Sequence, residues 1–148
     1  MTLGAYSVTE TIHIERSPEE VFDFIADPGN DREWCVLVPE SRFTGDTATG
    51  LGSYDFVQLL PMGRRVPGWG AILELNRPTG LRSRSGFERT VIESAFELMP
   101  EAGGTRIKHT NDARWHGWQR FMHPMLRRAT RKNVTDQLAS LKALLEQH

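Results

Sequence analysis

The residues of this sequence that could do chemistry lie in alternating segments, and His109 is the foremost of them. His109 and Asn111 are two positions apart within Thr105–Trp115, so in a β-strand their side chains share one face. Imidazole has an ordinary pKa near neutrality, so His109 could act as a general acid or base, or could bind a ligand. The alternative is a buried histidine that pairs with a neighbouring polar group.

Tyr54 and Arg77 are the other two candidate catalytic residues. The phenol of Tyr54 could donate a hydrogen bond to a ligand carbonyl, or its ring could pack with the hydroxyl at a rim. Arg77 could neutralise an enolate or a carboxylate, or it could be a solvated arginine in a turn. Three serines have no nucleophile-elbow context and are predicted to make a pocket polar instead: Ser83, Ser85 and Ser94.

The histidines do not form a metal-binding pattern. His109 and Asp112 would point to opposite faces of a strand, and His116 and His123 complete neither an HExxH nor a paired CxxC motif. Cys35 is the only cysteine, and its default interpretation is a packing residue. The sequence therefore predicts no metal site and no cofactor.

Composition narrows the class of protein. A chain of 148 residues is long enough for a single domain, so we expect one domain over residues 1–148. Its net charge of −1 argues against nucleic acid as a partner. The longest apolar run, Val57–Met62, is too short to span a bilayer, and the start of the chain does not resemble a signal peptide. The lone cysteine suits a reducing compartment, so a cytoplasmic protein is expected.

Periodicity predicts about seven strands and three helices. Ser17-Pro18-Glu19-Glu20 forms a helix start between the first strand and an apolar helical run, and Asp31–Val36 suits a second short helix. The predicted strands are Ser7–Glu15, Ser41–Thr44, Ser53–Leu60, Trp69–Asn76, Leu81–Phe87, Thr90–Met99 and Thr105–Trp115. A long helix follows from Pro124 to about Glu146.

Strand alternation predicts a sheet face that mixes apolar and polar side chains. In Thr105–Trp115 one face is almost entirely charged, so His109 and Asn111 must point inward. Ser94 shares its face with Phe96, and Tyr54 shares its face with Phe56. Because unpaired polar atoms are costly in a dry core, these groups either pair with one another or line a cavity.

The order of these elements resembles a known superfamily. The opening Ser17-Pro18-Glu19-Glu20-Val21-Phe22, the following Trp34, the Gly103-Gly104-Thr105 hairpin and the terminal helix are similar to the SRPBCC (START-like, helix-grip) proteins, in particular the polyketide cyclase/dehydrase branch. The resemblance implies an α+β helix-grip fold: a curved seven-stranded antiparallel sheet wrapped around a long C-terminal helix, with two short helices between strands 1 and 2. It also implies a pocket for an apolar or aromatic molecule.

The resemblance also implies particular site residues. Trp34 matches the tryptophan at the pocket edge. The aromatase/cyclases are similar in placing an inward arginine before a proline-containing turn, where this chain has either Arg77 or Asn76. The apolar loop at 59–69, which ends at Trp69, could also cover the mouth of the pocket as a lid. Together with the alternation, these features give the predicted ligand contacts: Trp34, Tyr54, Phe56, Trp69, Ser83, Ser85, Ser94, Phe96, His109, Asn111 and Trp115.

Three functions remain open at the level of the sequence. The first is binding of a small hydrophobic ligand (lipid-, polyketide- or quinone-like) without bond chemistry. The second is a polyketide cyclase/aromatase-type enzyme in which His109, Tyr54 and Arg77 polarise carbonyls and move protons. The third is a protein-interaction module that uses the apolar loop at 59–69 and the basic helix residues Arg127, Arg128, Arg131 and Lys132. A homodimer through that loop is also possible.

Overall fold

A computed structural model describes residues 4–115 and 123–147. All seven of its strands join one antiparallel sheet in the order β1-β7-β6-β5-β4-β3-β2. The strands are β1 (Gly4–Ile14), β2 (Glu40–Phe43), β3 (Gly52–Leu59), β4 (Arg65–Asn76), β5 (Gly80–Phe87), β6 (Thr90–Glu101) and β7 (Gly104–Trp115). The first strand pairs with the last, and the remaining strands follow one another as a meander.

Three α-helices cover one face of the sheet: α1 (Pro18–Ile25), α2 (Asp31–Trp34) and α3 (His123–Glu146). The predicted cap of α1 is confirmed, because the backbone N–H of Glu20 donates to the Ser17 hydroxyl at 3.2 Å. The two short helices lie between strands 1 and 2, and α3 follows the sheet, so the helix-grip fold is confirmed.

The helix α3 is held on the sheet by an apolar stripe. Val134, Leu138 and Leu141 are buried, and the helix packs chiefly on β1, where Val8 and Ile14 are fully buried. Each fully buried aliphatic side chain of this kind contributes about 1.5–3 kcal/mol to folding. These contacts therefore fix the position of α3 on the sheet.

The strand β4 is longer than the sequence pattern indicates. It begins at Arg65, whereas the pattern predicts an apolar loop at 59–69, so only Leu60–Arg64 forms the connection. Pro67, which cannot donate a backbone hydrogen bond, lies opposite Val57 of β3 and beyond the last β4–β5 pair at Gly68. A proline is tolerated in a strand where its nitrogen needs no hydrogen-bond partner. Because prolines are uncommon in strands, the sequence pattern did not indicate that β4 begins before Pro67.

Two aromatic rings on β3 lie flat across glycines of β4. Tyr54 is paired with Gly70, and a Cβ built on Gly70 would lie 2.1 Å from Cζ of the tyrosine ring. Phe56 is paired with Gly68 in the same way, with a distance of 2.3 Å to its Cζ. Because these rings lie along the sheet, the space above them stays open.

A Gly70→Ala substitution should lower the free energy of unfolding by roughly 1–3 kcal/mol, since the new methyl group forces the Tyr54 ring to move. Urea denaturation of the single variant and of Gly70→Ala in a Tyr54→Ala background checks this. We expect the cost of the glycine change to disappear once the ring is gone. An equal loss in both backgrounds would show that the ring does not rest on Gly70.

Candidate functional site

A cavity of about 130 Å³ lies between the concave face of the sheet and the helices. Its walls come from the three helices and strands β3 to β7. Nine of the predicted ligand-contacting residues line it: Trp34, Tyr54, Phe56, Ser83, Ser85, Ser94, Phe96, His109 and Asn111. The alternation of the strands thus predicted the inner face correctly, although ligand contact itself stays a prediction.

A band of polar side chains runs across the floor of the cavity. Ser83, Ser94 and Asn111 are successive cross-strand partners on β5, β6 and β7. The hydroxyl of Ser94 donates to Oδ1 of Asn111 at 2.6 Å. Part of the polar face is therefore satisfied within the protein, which is one of the two possibilities left open by the sequence.

His109 is not satisfied in this way. Its side chain is buried at 2% exposure, and its ring stacks on Phe96 with centroids 3.9 Å apart and planes 9° apart. Neither ring nitrogen makes a hydrogen bond of good geometry, although the Asn111 side chain lies near enough to interact with the ring. Burial lowers the pKa of His109 to about 4, with the neighbouring Asn111 side chain opposing that shift, so the imidazole is neutral at pH 7.

The buried polar atoms that lack partners gather at this cavity. Among the described residues they are Nε1 of Trp34, both ring nitrogens of His109 and Oδ1 of Asn133. The three residues come from α2, β7 and α3, and all three line the cavity. Buried polar groups in folded proteins are nearly always paired, so a cluster of four unpaired atoms around one space makes this cavity the candidate functional site.

A carboxyl group that sequence reasoning missed lies at the cavity wall. Asp31, the first residue of α2, lines the cavity; burial first and the charge of Asp27 second raise its pKa to about 8. Its position could have been inferred from the sequence, because Asp31 lies three residues before Trp34 and residues three apart share a helix face. At pH 7 Asp31 therefore keeps its proton.

Tyr54 and Cys35 adjoin Asp31. Burial, followed by the Asp31 carboxyl, raises the pKa of both the Tyr54 phenol and the Cys35 thiol, while hydroxyl hydrogen bonds from Ser83 and Ser85 oppose the shift of Tyr54. Both groups are therefore protonated at neutral pH, like Asp31. The walls of the cavity carry hydrogen-bonding groups without formal charge.

Arg77 lies outside the cavity. It is exposed in the turn after β4, where Nε donates to Oδ1 of Asp23 at 2.7 Å and Nη2 donates to Oδ2 at 2.9 Å. Asn76 is also exposed, and its amide donates to Glu74. The β4–β5 register shifts between Ile72 and Glu74, which turns Leu75 inward and Asn76 outward. The inward arginine that the resemblance implies is therefore not supplied by either residue.

Trp69 also lies away from the cavity, contrary to prediction. It points from the convex face of β4, where its ring covers Gly86 and is 47% exposed. Residues 65–69 belong to a strand, so strand alternation alone puts Trp69 opposite the inward Gly68 and Gly70. The predicted contact by Trp115 lies outside the described side chains.

The basic residues proposed for a protein interface are exposed on α3. Lys132 pairs with Asp136 at 2.6 Å, and Arg131 lies 3.7 Å from a carboxylate oxygen of Glu10. Met62, at the tip of the Leu60–Arg64 connection, is fully exposed. An interaction role and a homodimer stay predictions.

Metal and membrane patterns are absent from the described ranges. Residues 4–115 and 123–147 contain no group of three or more His, Cys, Asp or Glu side chains able to hold a metal ion. No helix within those ranges is both long and apolar enough to cross a membrane.

Comparison with known proteins decides the family. Residues 5–146 match the family model described as polyketide cyclase / dehydrase and lipid transport. The chain belongs to this family. No curated protein matches the sequence at a significant level.

Solved structures similar to this family member share its fold at low sequence identity. A START superfamily protein from Mycobacterium smegmatis is 13% identical with a TM-score of 0.81, covering 95% of this chain and 97% of that one. A protein from Thermus thermophilus is 18% identical with a TM-score of 0.80, covering 93% of this chain and 95% of that one. The di-domain ARO/CYC StfQ from the steffimycin biosynthetic pathway is 12% identical with a TM-score of 0.80, covering 97% of this chain and 52% of that one.

The raised pKa of Asp31 makes the stability of this family member depend on pH. An unfolded aspartate loses its proton near pH 4, whereas Asp31 keeps it up to about pH 8, so the free energy of unfolding falls as pH rises between these values. An Asp31→Asn variant escapes this loss, and its advantage should grow by at most about 1.4 kcal/mol per pH unit from pH 5 to 8.

Urea denaturation at four pH values measures that advantage. A Glu33→Gln variant on the exposed side of the same helix controls for the removal of one carboxyl group. Parallel pH curves for the wild type and Asp31→Asn would mean that Asp31 ionises normally in the folded protein.

Proposed function

We propose that this protein binds a small apolar or aromatic molecule in the cavity between the sheet and α3. One observation carries the proposal: the unpaired buried polar atoms of Trp34, His109 and Asn133 all belong to the walls of that cavity. An occupant with hydrogen-bonding groups would satisfy them, and each unpaired buried group otherwise costs about 1–3 kcal/mol.

The rest of the cavity wall is apolar and suits the hydrocarbon part of a ligand. Phe56, Ile72, Leu81 and Phe96 are buried side chains that line the cavity between its polar groups. A mostly apolar lining with a few well-placed polar groups is the usual composition of a small-molecule site. The family description, which names both polyketide cyclisation and lipid transport, supports a ligand of this general type.

A cyclase-type reaction is the second candidate function, and Asp31 favours it. A carboxyl group that holds its proton at pH 7 beside the Tyr54 phenol can protonate or polarise a ligand carbonyl, and the neutral His109 can accept a proton. Arg77 has no part in this version, because it lies outside the cavity. A binding protein should keep its ligand in an Asp31→Asn variant, whereas an enzyme of this type should bind and lose turnover.

Filling the cavity should remove the bound molecule without unfolding the protein. A Ser83→Leu substitution places a larger apolar side chain on the concave face, while Arg84→Leu places the same side chain on the exposed convex face of β5. Native mass spectrometry of the purified proteins should show a small-molecule adduct on the wild type and on Arg84→Leu, and little or none on folded Ser83→Leu.

Circular dichroism checks that both variants fold. The proposal is contradicted if the wild type carries no adduct when isolated and its melting temperature is unchanged by any small aromatic or aliphatic compound. It is also contradicted if an adduct persists unchanged in folded Ser83→Leu.

A further inference from the structure

We propose that the occupant is an uncharged molecule of about one six-membered ring bearing a hydroxyl group, of the phenol class, and that His109, Asn133 and Trp34 bind its hydroxyl end. This inference rests on the proposed function and specifies the chemistry of the ligand. Three properties of the site carry it: the size of the cavity, the identity of its unpaired atoms, and the absence of a cation from its described walls.

The cavity is small. Its volume of about 130 Å³ is close to that of an engineered cavity of about 150 Å³ that holds benzene, and it lies below the roughly 300 Å³ at which sites for larger ligands begin. The walls that limit it are well packed, with Leu81 and Phe96 buried and the Tyr54 ring held flat on Gly70. A single ring fills the enclosed part of this space, which is too small to enclose a fused polycycle or a long acyl chain.

The unpaired atoms require both a donor and an acceptor. The indole N–H of Trp34 can only donate, and Oδ1 of Asn133 can only accept. A neutral imidazole donates from one nitrogen and accepts at the other, so His109 offers one group of each kind. A hydroxyl group donates one hydrogen bond and accepts up to two, so a single hydroxyl can pair with one atom from each of the three residues. A hydrocarbon ring would leave all four atoms unpaired.

An aromatic chain holds two of these groups in place. Phe96 stacks on His109 and also contacts Trp34 edge to face, with centroids 6.1 Å apart and planes at 70°. The indole N–H and the imidazole are therefore fixed relative to each other before any ligand arrives. Such preorganisation reduces the entropy lost on binding and makes the site selective for one arrangement of polar groups.

The charge of the walls disfavours an ionised ligand. No lysine or arginine lines the cavity in the described part of the chain, so a carboxylate or phosphate would find no counter-charge there. Asp31 is the one carboxyl group in the described wall, and it keeps its proton at pH 7. Burial of a charge without a partner is strongly unfavourable, so the neutral form of a ligand is selected.

Titration of the full chain with four single-ring compounds tests this inference: phenol, anisole, toluene and benzoate. Isothermal titration calorimetry at pH 7 should give phenol at least ten-fold tighter binding than the other three. Anisole keeps the acceptor oxygen but lacks the donor, toluene lacks both, and benzoate adds the charge. A His109→Phe variant should keep the melting temperature and lose most of the preference for phenol over toluene.

A Lys108→Ala variant is the matched control, because Lys108 precedes His109 on β7 and is exposed on the convex face. It should retain the wild-type preference. If toluene or anisole binds as well as phenol, or if His109→Phe keeps the preference, the assigned hydrogen bonds are wrong. If benzoate binds best, the argument from charge is wrong.

The same data separate this inference from the proposed function. If no single-ring compound binds but native mass spectrometry reveals a larger molecule on the wild type, the size argument fails and the binding function stands. If neither a single-ring compound nor any other molecule binds, both proposals fail.

Discussion

The need of a buried imidazole for hydrogen-bond partners is the constraint on which this site depends. Strand alternation forces His109 to the concave face, because its neighbours Lys108 and Thr110 face the other way. Phe96 then fixes its ring by stacking, and burial keeps it neutral. A leucine at this position would give a wholly apolar wall, whereas the histidine leaves two buried ring nitrogens without a partner of good geometry.

The cavity lies between two clusters of the hydrophobic core. One cluster joins the three helices and the strands β1, β5, β6 and β7, and a second, smaller cluster forms around Tyr54, Phe56 and Ile72. Residues of both clusters line the cavity, so it lies where a continuous core would otherwise run. Small residues such as Gly68, Gly70 and Ser83 on the concave face keep this space open. A cavity of this kind is obtained at the expense of buried apolar contacts.

Much of the fold and part of the site could be predicted from the sequence. The charged alternate positions of Thr105–Trp115 identified the inner face, and with it His109 and Asn111, because a strand has a period of two. Alternation does not predict which way a side chain points where the pairing of two strands is irregular. The register shift after Ile72 put Asn76 outside, and the proline at position 67 hid the strand that turns Trp69 outward. Asp31 was missed because an aspartate at the start of a helix ordinarily faces solvent and stabilises the helix dipole, and only its spacing of three from Trp34 indicates that it lies on the buried side.

Nitrogen-15 NMR of the His109 imidazole tests the central claim most directly. The account predicts a neutral ring at pH 7 that titrates near pH 4, with ring-nitrogen resonances that shift when phenol is added. A protonated imidazole at pH 7, or nitrogen resonances that stay unchanged while phenol binds elsewhere, would contradict it.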